Sequence, residues 1–182
     1  MYRAYVDESI HVEPGICVVG VAVVEAGMED AVRASLAAVL PRGAKRLHWQ
    51  QNSTPLRLDS ALAVAENVVE ARAYVSYFDH QRRGDAARER CLVHMIADLG
   101  GLPYETVTID RRSPHQDTRD LVALNGQCVR LRLPRPPRIV HDGTLTEPLL
   151  WLADTVAGAV AEHIQSGDDA FVRMFGHRLA VV

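Results

Sequence analysis

At 182 residues, 48% of them apolar, the chain has material for one domain with a substantial core and too little for two comfortable ones. Its apolar stretches are broken by charge or Gly before the ~20 residues a membrane span needs, and the opening MYRAYVDESI lacks a signal peptide's apolar centre, so a cytoplasmic protein with no membrane role is expected. A net charge of -3 argues against coating nucleic acid by bulk charge, although a metal site built of carboxylates pushes the balance the same way.

Cys17, Cys91 and Cys128 are odd in number and form no C-x-x-C pair, so neither a disulfide framework nor a zinc knuckle is indicated and buried thiols are expected. Lys45 is the only lysine. The other basic side chains are Arg, which suits bidentate phosphate contacts and is equally what high-GC codon usage produces.

In chain order, residues 2–6 alternate in polarity and end in Asp-Glu-Ser, and residues 16–24 are an almost unbroken β-branched run after Pro14-Gly15, which predicts a hairpin with its second strand buried on both faces. Met28, Val32, Leu36 and Leu40 recur every fourth residue and predict a helix over 28–40, stopped by Pro41 and Gly43. Residues 45–50 alternate as a short strand, with Lys45, Leu47 and Trp49 on one face and Arg46 and His48 on the other. Thr54-Pro55 opens a helix to about residue 70.

A strand over 73–78, a helix over 84–99 halted by Gly100-Gly101, and a strand over 105–110 follow. Then come a polar helix over 117–125, an Arg- and Pro-rich exposed connection over 130–138 and a short strand over 138–141. A closing helix over 146–165 carries Pro148 in its first turn and ends at Ser166-Gly167. Alternating strands and helices predict an α/β domain spanning 1–182, with a mixed central sheet under helical cover. The tail FVRMFGHRLAVV is apolar enough to form an extra strand, to dock on the core or to meet a second subunit.

Three carboxylates stand where apolar patterning does not want them. Asp7 ends the strand YVDES, Asp110 ends TVTID, and Asp154 lies inside LLWLADTVAGAV, a helix apolar nearly all round. An unpaired charge in such a helix costs several kcal/mol, so Asp154 needs a cation or a proton. Gly158, one turn on, is expected to let this helix approach the sheet. Single strand-end aspartates commonly cap turns, but the three together point to a metal site, because hard divalent cations such as Mg or Mn take oxygen ligands and phosphodiester cleavage profits from one or two of them.

Glu8 points to the opposite face if its strand continues and swings in if the chain turns there. Asp79, Glu8 and Glu66 are the candidates for a fourth carboxylate. His48 is suited to shuttle a proton or contact a phosphate beside such a site, with a surface edge-strand His weighing equally. His141-Asp142 reads as a turn, Ser9 as a turn residue, and Arg111-Arg112 as a phosphate contact next to Asp110. No P-loop, strand-linked G-x-G-x-x-G, G-x-S-x-G or H-E-x-x-H spacing is present.

The opening Y-x-D-E-S strand, the KRLHW segment after the first helix, TVTID, and the closing P-L-L-x-L-A-D-x-x-A-G helix resemble the family known as domain of unknown function 3800, over nearly the whole chain. The match departs at Ile10, where Gly is expected, and at Trp151, where such helices commonly carry Gln. The resemblance implies a ribonuclease H-like fold with Asp7, Asp110 and Asp154 as the acidic site and Glu8 and His48 near it. Two function classes follow as expectations: a Mg- or Mn-dependent nuclease acting on RNA or DNA, or a ribonuclease H-like binding or regulatory module with weak or no catalysis. A homo-oligomer or a protein partner is compatible with either.

Overall fold

The β-branched run of residues 16–24 suits a strand covered on both faces, and β2 (Ile16–Glu25) is buried at every position but its last. In the computed structural model, which describes residues 1–79, 83–100 and 102–182, β2 pairs antiparallel with β1 (Tyr2–His11) on one side and with β3 (Glu70–Tyr77) on the other. Beyond β1 lie β4 (Tyr104–Asp110) and β5 (Arg138–Asp142), both parallel to it. The sheet is completed by β6 (Leu179–Val181), parallel to β3, giving the order β5-β4-β1-β2-β3-β6.

Strand periodicity divides the interior into two cores. Tyr5, Val18 and Ala22 face a core shared with α1 (Glu29–Val39), α2 (Thr54–Asn67), α5 (Leu150–Ser166) and α6 (Ala170–Phe175). Ala4, Val6, Val107 and Ile109 face a second core, built with α3 (Gly84–Leu99) and α4 (Pro114–Arg130). The central helix α5 is buried continuously from Leu150 to Ala161. It lies on β2 at Gly20, where a Cβ would stand 2.5 Å from the Ala153 carbonyl oxygen and 2.6 Å from the Ala157 nitrogen. The close approach expected of Gly158 is therefore provided from the sheet side. Gly158 instead seats the Trp49 ring, whose Cγ and Cδ1 occupy the space a side chain would need.

The helix over 84–99 matches its sequence reading. The hairpin forms, but its first strand runs past residue 6 to His11 because residues 7–11 keep pairing with β2, so Asp7 lies within β1 and not at its end. The other boundaries differ for local reasons. Residues 45–50 are not a strand. They lead into a 3-10 turn at Trp49–Gln51 because the Trp49 backbone N–H donates to the Asp154 carboxylate at 2.7 Å rather than to a neighbouring strand.

The polar helix is longer than 117–125. Ser113 caps it by accepting the Gln116 N–H, and it includes Arg130, so the exposed connection begins one residue later. The closing helix begins at Leu150 rather than 146, after a tight lead-in in which the Trp151 N–H donates to the Pro148 carbonyl. The apolar tail resolves as α6 and β6, with the Val182 N–H donating to Ala73 at 2.8 Å. Gly101, the second half of the expected helix stop, lies outside the described residues. Among the described residues no helix is long and apolar enough to cross a membrane.

Candidate functional site

Because Val6 and Ile109 face the α3–α4 core and side chains alternate along a strand, Asp7 and Asp110 turn to the α5 side. They stand on neighbouring parallel strands, one residue past the paired Val6 and Ile109. Asp142 continues the row on β5, in register with Asp110. Asp154 comes down from α5.

The electrostatics join these groups. Asp7 is only 8% exposed, and burial, then Glu8, Asp154 and Asp110, push its carboxyl well above the usual carboxylate range. Asp110 is pushed up to about 6 by burial and by Glu8, with a smaller push from Asp154; the Arg111 and Thr144 backbone N–H groups hold it down in part. Asp142 is held low by its bonds from Thr146 and from the Gly143 N–H; His141 and Asp142 end β5, and the turn expected at this pair follows at residues 144–146.

Asp154 organises the segment that fails to become a strand. One oxygen accepts the Trp49 N–H, and His48 Nδ1 lies 3.2 and 3.3 Å from the two oxygens. That hydrogen bond raises the His48 pKa against the opposing effect of partial burial. Trp49 is fixed in turn: its Nε1 donates to Glu162 at 3.0 Å, Arg57 sits 5.2 Å over its ring and bonds the same carboxylate, and Phe171 meets it edge-on at 4.8 Å. The KRLHW segment thus delivers His48 to Asp154 as an anchored turn. Arg46 is exposed beside it and reaches Thr144 at 3.2 Å.

Glu8 takes the other face, because β1 continues to His11. Its carboxylate lies 3.0 Å from Arg88 Nε and 3.3 Å from Arg112 Nε. The Arg88 Nε contact is an ion pair without hydrogen-bond alignment. Arg88, 2% exposed, also donates through Nη1 to both oxygens of Asp120 at 2.7 Å, and His141 Nε2 lies 3.3 Å from Asp120. Burial alone would raise Asp120, but His141 and Arg88 together hold it below the usual carboxylate range. Arg112 pairs with Glu8 and Asp85.

The sequence reading missed Arg88 and Asp120, since a lone Arg and a lone Asp on helices read as solvated charge. A faint signal exists: both fall among the apolar positions of their helices. Of the other fourth-carboxylate candidates, Asp79 is exposed and 3.7 Å from Arg83, and Glu66 lies on the exposed face of α2 in a groove with Asp59 and Ser35. Neither joins the site. His80 and Arg82 lie outside the described residues.

The donor set is hard oxygen throughout, the chemistry that Mg or Mn takes, and a divalent cation would offset the burial and the neighbouring negative charge that raise Asp7 and Asp110. As placed, no three His, Cys, Asp or Glu side chains among the described residues converge closely enough to hold an ion. The fit is therefore one of donor chemistry and electrostatic neighbourhood.

No family model matches the chain, and no curated protein matches it in sequence. Solved structures do. Ribonuclease H2 from Pyrococcus horikoshii OT3 superposes with a TM-score of 0.57 at 15% identity, over 99% of this chain and 81% of that one. RNase H1 from the halophilic archaeon Halobacterium salinarum NRC-1 gives 0.47 at 12%, over 90% and 97%. The first likeness, with the mixed sheet and the order of its strands, makes the fold of this chain ribonuclease H-like.

Proposed function

We propose that this chain, a single domain over residues 1–182, is a divalent-metal-dependent nuclease that hydrolyses phosphodiester bonds in RNA or DNA. One observation carries the reading: Asp7 is buried on the face of β1 that α5 covers, and burial first, then the charges of Glu8, Asp154 and Asp110, raises its carboxyl well above its ordinary range. Burying like charges together is costly unless a cation or a proton intervenes, and perturbed groups of this kind cluster at functional sites.

Asp7, Asp110 and Asp154 would hold Mg or Mn, as one ion or two. Such a cation supplies Lewis-acid stabilisation of the phosphoryl group and activation of water. His48 holds a proton at Nδ1 against Asp154 and keeps that carboxylate oriented. Glu8, clamped by Arg88 and Arg112, adds field without leaving its own face, and exposed Arg46 offers a contact to an incoming phosphate. A cytoplasmic location, and kinship with domain of unknown function 3800 on the YVDES and LADTVAG motifs, belong to the same proposal.

The test is cleavage of single-stranded, double-stranded and hybrid RNA and DNA in Mg, Mn or EDTA. Cutting that needs metal is expected. Metal-dependent cutting at the wild-type rate by Asp7→Asn, Asp110→Asn and Asp154→Asn alike would overturn the site assignment. A second reading, a binding module of this fold without catalysis, draws on Asp154, both of whose oxygens already have protein partners. Nucleic-acid binding with no cutting in any metal would favour it.

A further inference from the structure

A cavity of about 380 Å³ opens beside the carboxylates, on the same face of β1. Its walls include Ser9, His11, Trp49, Gln50, Arg57 and Glu162. Ser9 lies two residues beyond Asp7 on the same face, about 7 Å along the strand, and Trp49 follows His48. Whatever occupies this cavity sits next to the candidate centre.

The lining selects a class of ligand. Its two charged groups cancel: Arg57 Nη1 lies 2.9 Å from the Glu162 carboxylate, which also takes the Trp49 Nε1–H. No cation is left over for a phosphate. The remaining groups are neutral and hydrogen-bonding. Ser9 Oγ meets His11 Nε2 at 2.9 Å, and burial lowers the His11 pKa, which favours the neutral ring. The Gln50 amide adds a paired donor and acceptor of the kind that reads base edges, while the Gln165 Nε2 already donates to the Ala161 carbonyl at 3.1 Å. Trp49 is 3% exposed, so its ring closes a wall and offers no stacking face. The volume is at the low end of the ~300–1,000 Å³ of small-ligand sites, which suits one nucleoside and not a base pair.

We infer that this cavity receives an unpaired nucleobase next to the phosphodiester that a cation at Asp7, Asp110 and Asp154 would hold, a reading that rests on the nuclease proposal. A base can enter only by leaving its stack, and a single-stranded or frayed nucleotide does so at the least cost. The substrate class is accordingly nucleic acid unpaired at the site of cutting.

The test is fluorescence anisotropy with a labelled single strand and with the same strand in a full duplex, in Ca, alongside cleavage of both in Mg. The variants are His11→Ala with Gln50→Ala, and Gln50→Ala alone; the single change, on an exposed turn, keeps the test open should the double variant melt early. The double variant is expected to weaken single-strand binding about 10- to 30-fold, as loss of two hydrogen bonds near 1 kcal/mol each implies, with duplex binding moved less than about 2-fold. Unchanged single-strand affinity, or equal loss on both forms, with Mg cleavage persisting, would overturn the cavity assignment and leave the nuclease reading standing. No binding and no cleavage of either form by the wild type would overturn both.

Discussion

Gly158 and Trp49 fit one into the other, and the fit decides the sign of a simple substitution. Ala is the better helix former by about 1 kcal/mol, but its methyl at position 158 would land on the Trp49 ring. Overpacking costs about 1–3 kcal/mol, so Gly158→Ala is expected to be net destabilised by up to roughly 2 kcal/mol, read as a lower midpoint in urea. The same displacement moves His48, so cleavage should fall with it. Asp7, Asp110 and Asp154 were legible as anomalies, charges at the end of apolar strands or inside an apolar helix. The partner of Gly158 was not, because no pattern within residues 45–50 announces a ring that packs on a helix more than 100 residues away. Glu8 was legible only as an alternative, and the continuation of β1 to His11 decides it.

Between elements, Arg88 on α3 is held between Glu8 on β1 and Asp120 on α4. Removing one partner of a buried ion cluster strands the others, at a cost of about 3–5 kcal/mol. Arg88→Met should lose about that much stability in chemical denaturation, and Arg88→Met with Asp120→Leu should recover part of it, since the stranded charge at Asp120 is gone. The pH dependence has a definite sign. Asp120 is held below its unfolded value, so its contribution is fully present above about pH 4 and is lost as pH falls through the lower, folded value. Asp120→Asn should therefore flatten the acid limb of the stability curve, measured as the urea midpoint between pH 5 and 2. Elements with punctuation at both ends were readable: Gly84 and Gly100 bracket α3. KRLHW has a strand's alternation, and what defeats it is tertiary, the Asp154 carboxylate accepting the Trp49 N–H. The start of α5 moved because Pro148 belongs to a turn leading into the helix and not to its first turn.

Across the whole molecule, the arrangement of strands sets where chemistry is possible. Parallel β4 and β5 end at Asp110 and Asp142, next to Asp7 part-way along β1, so the three form a row across the sheet, and α5 adds Asp154 from above. A net charge of -3 leaves no general attraction for a polyanion, so the proposed engagement of nucleic acid would have to be local and dependent on a cation. A ligand that binds only the folded chain stabilises it by about 2.7 kcal/mol at a hundredfold excess over Kd. Saturating Mn should accordingly raise Tm by about 5–10 °C, at about 2–4 °C per kcal/mol for a chain of this size, and Asp7→Asn should shrink that rise. The measurement that bears most directly on the account is the single-turnover cleavage rate of an oligonucleotide by wild type and by Asp154→Asn, each in Mn and in EDTA. Cutting by the wild type in Mn alone, reduced more than about 100-fold in Asp154→Asn, is the expected result, since even outer partners of a metal site cost about 10- to 100-fold. Equal metal-dependent rates for the two proteins would contradict it.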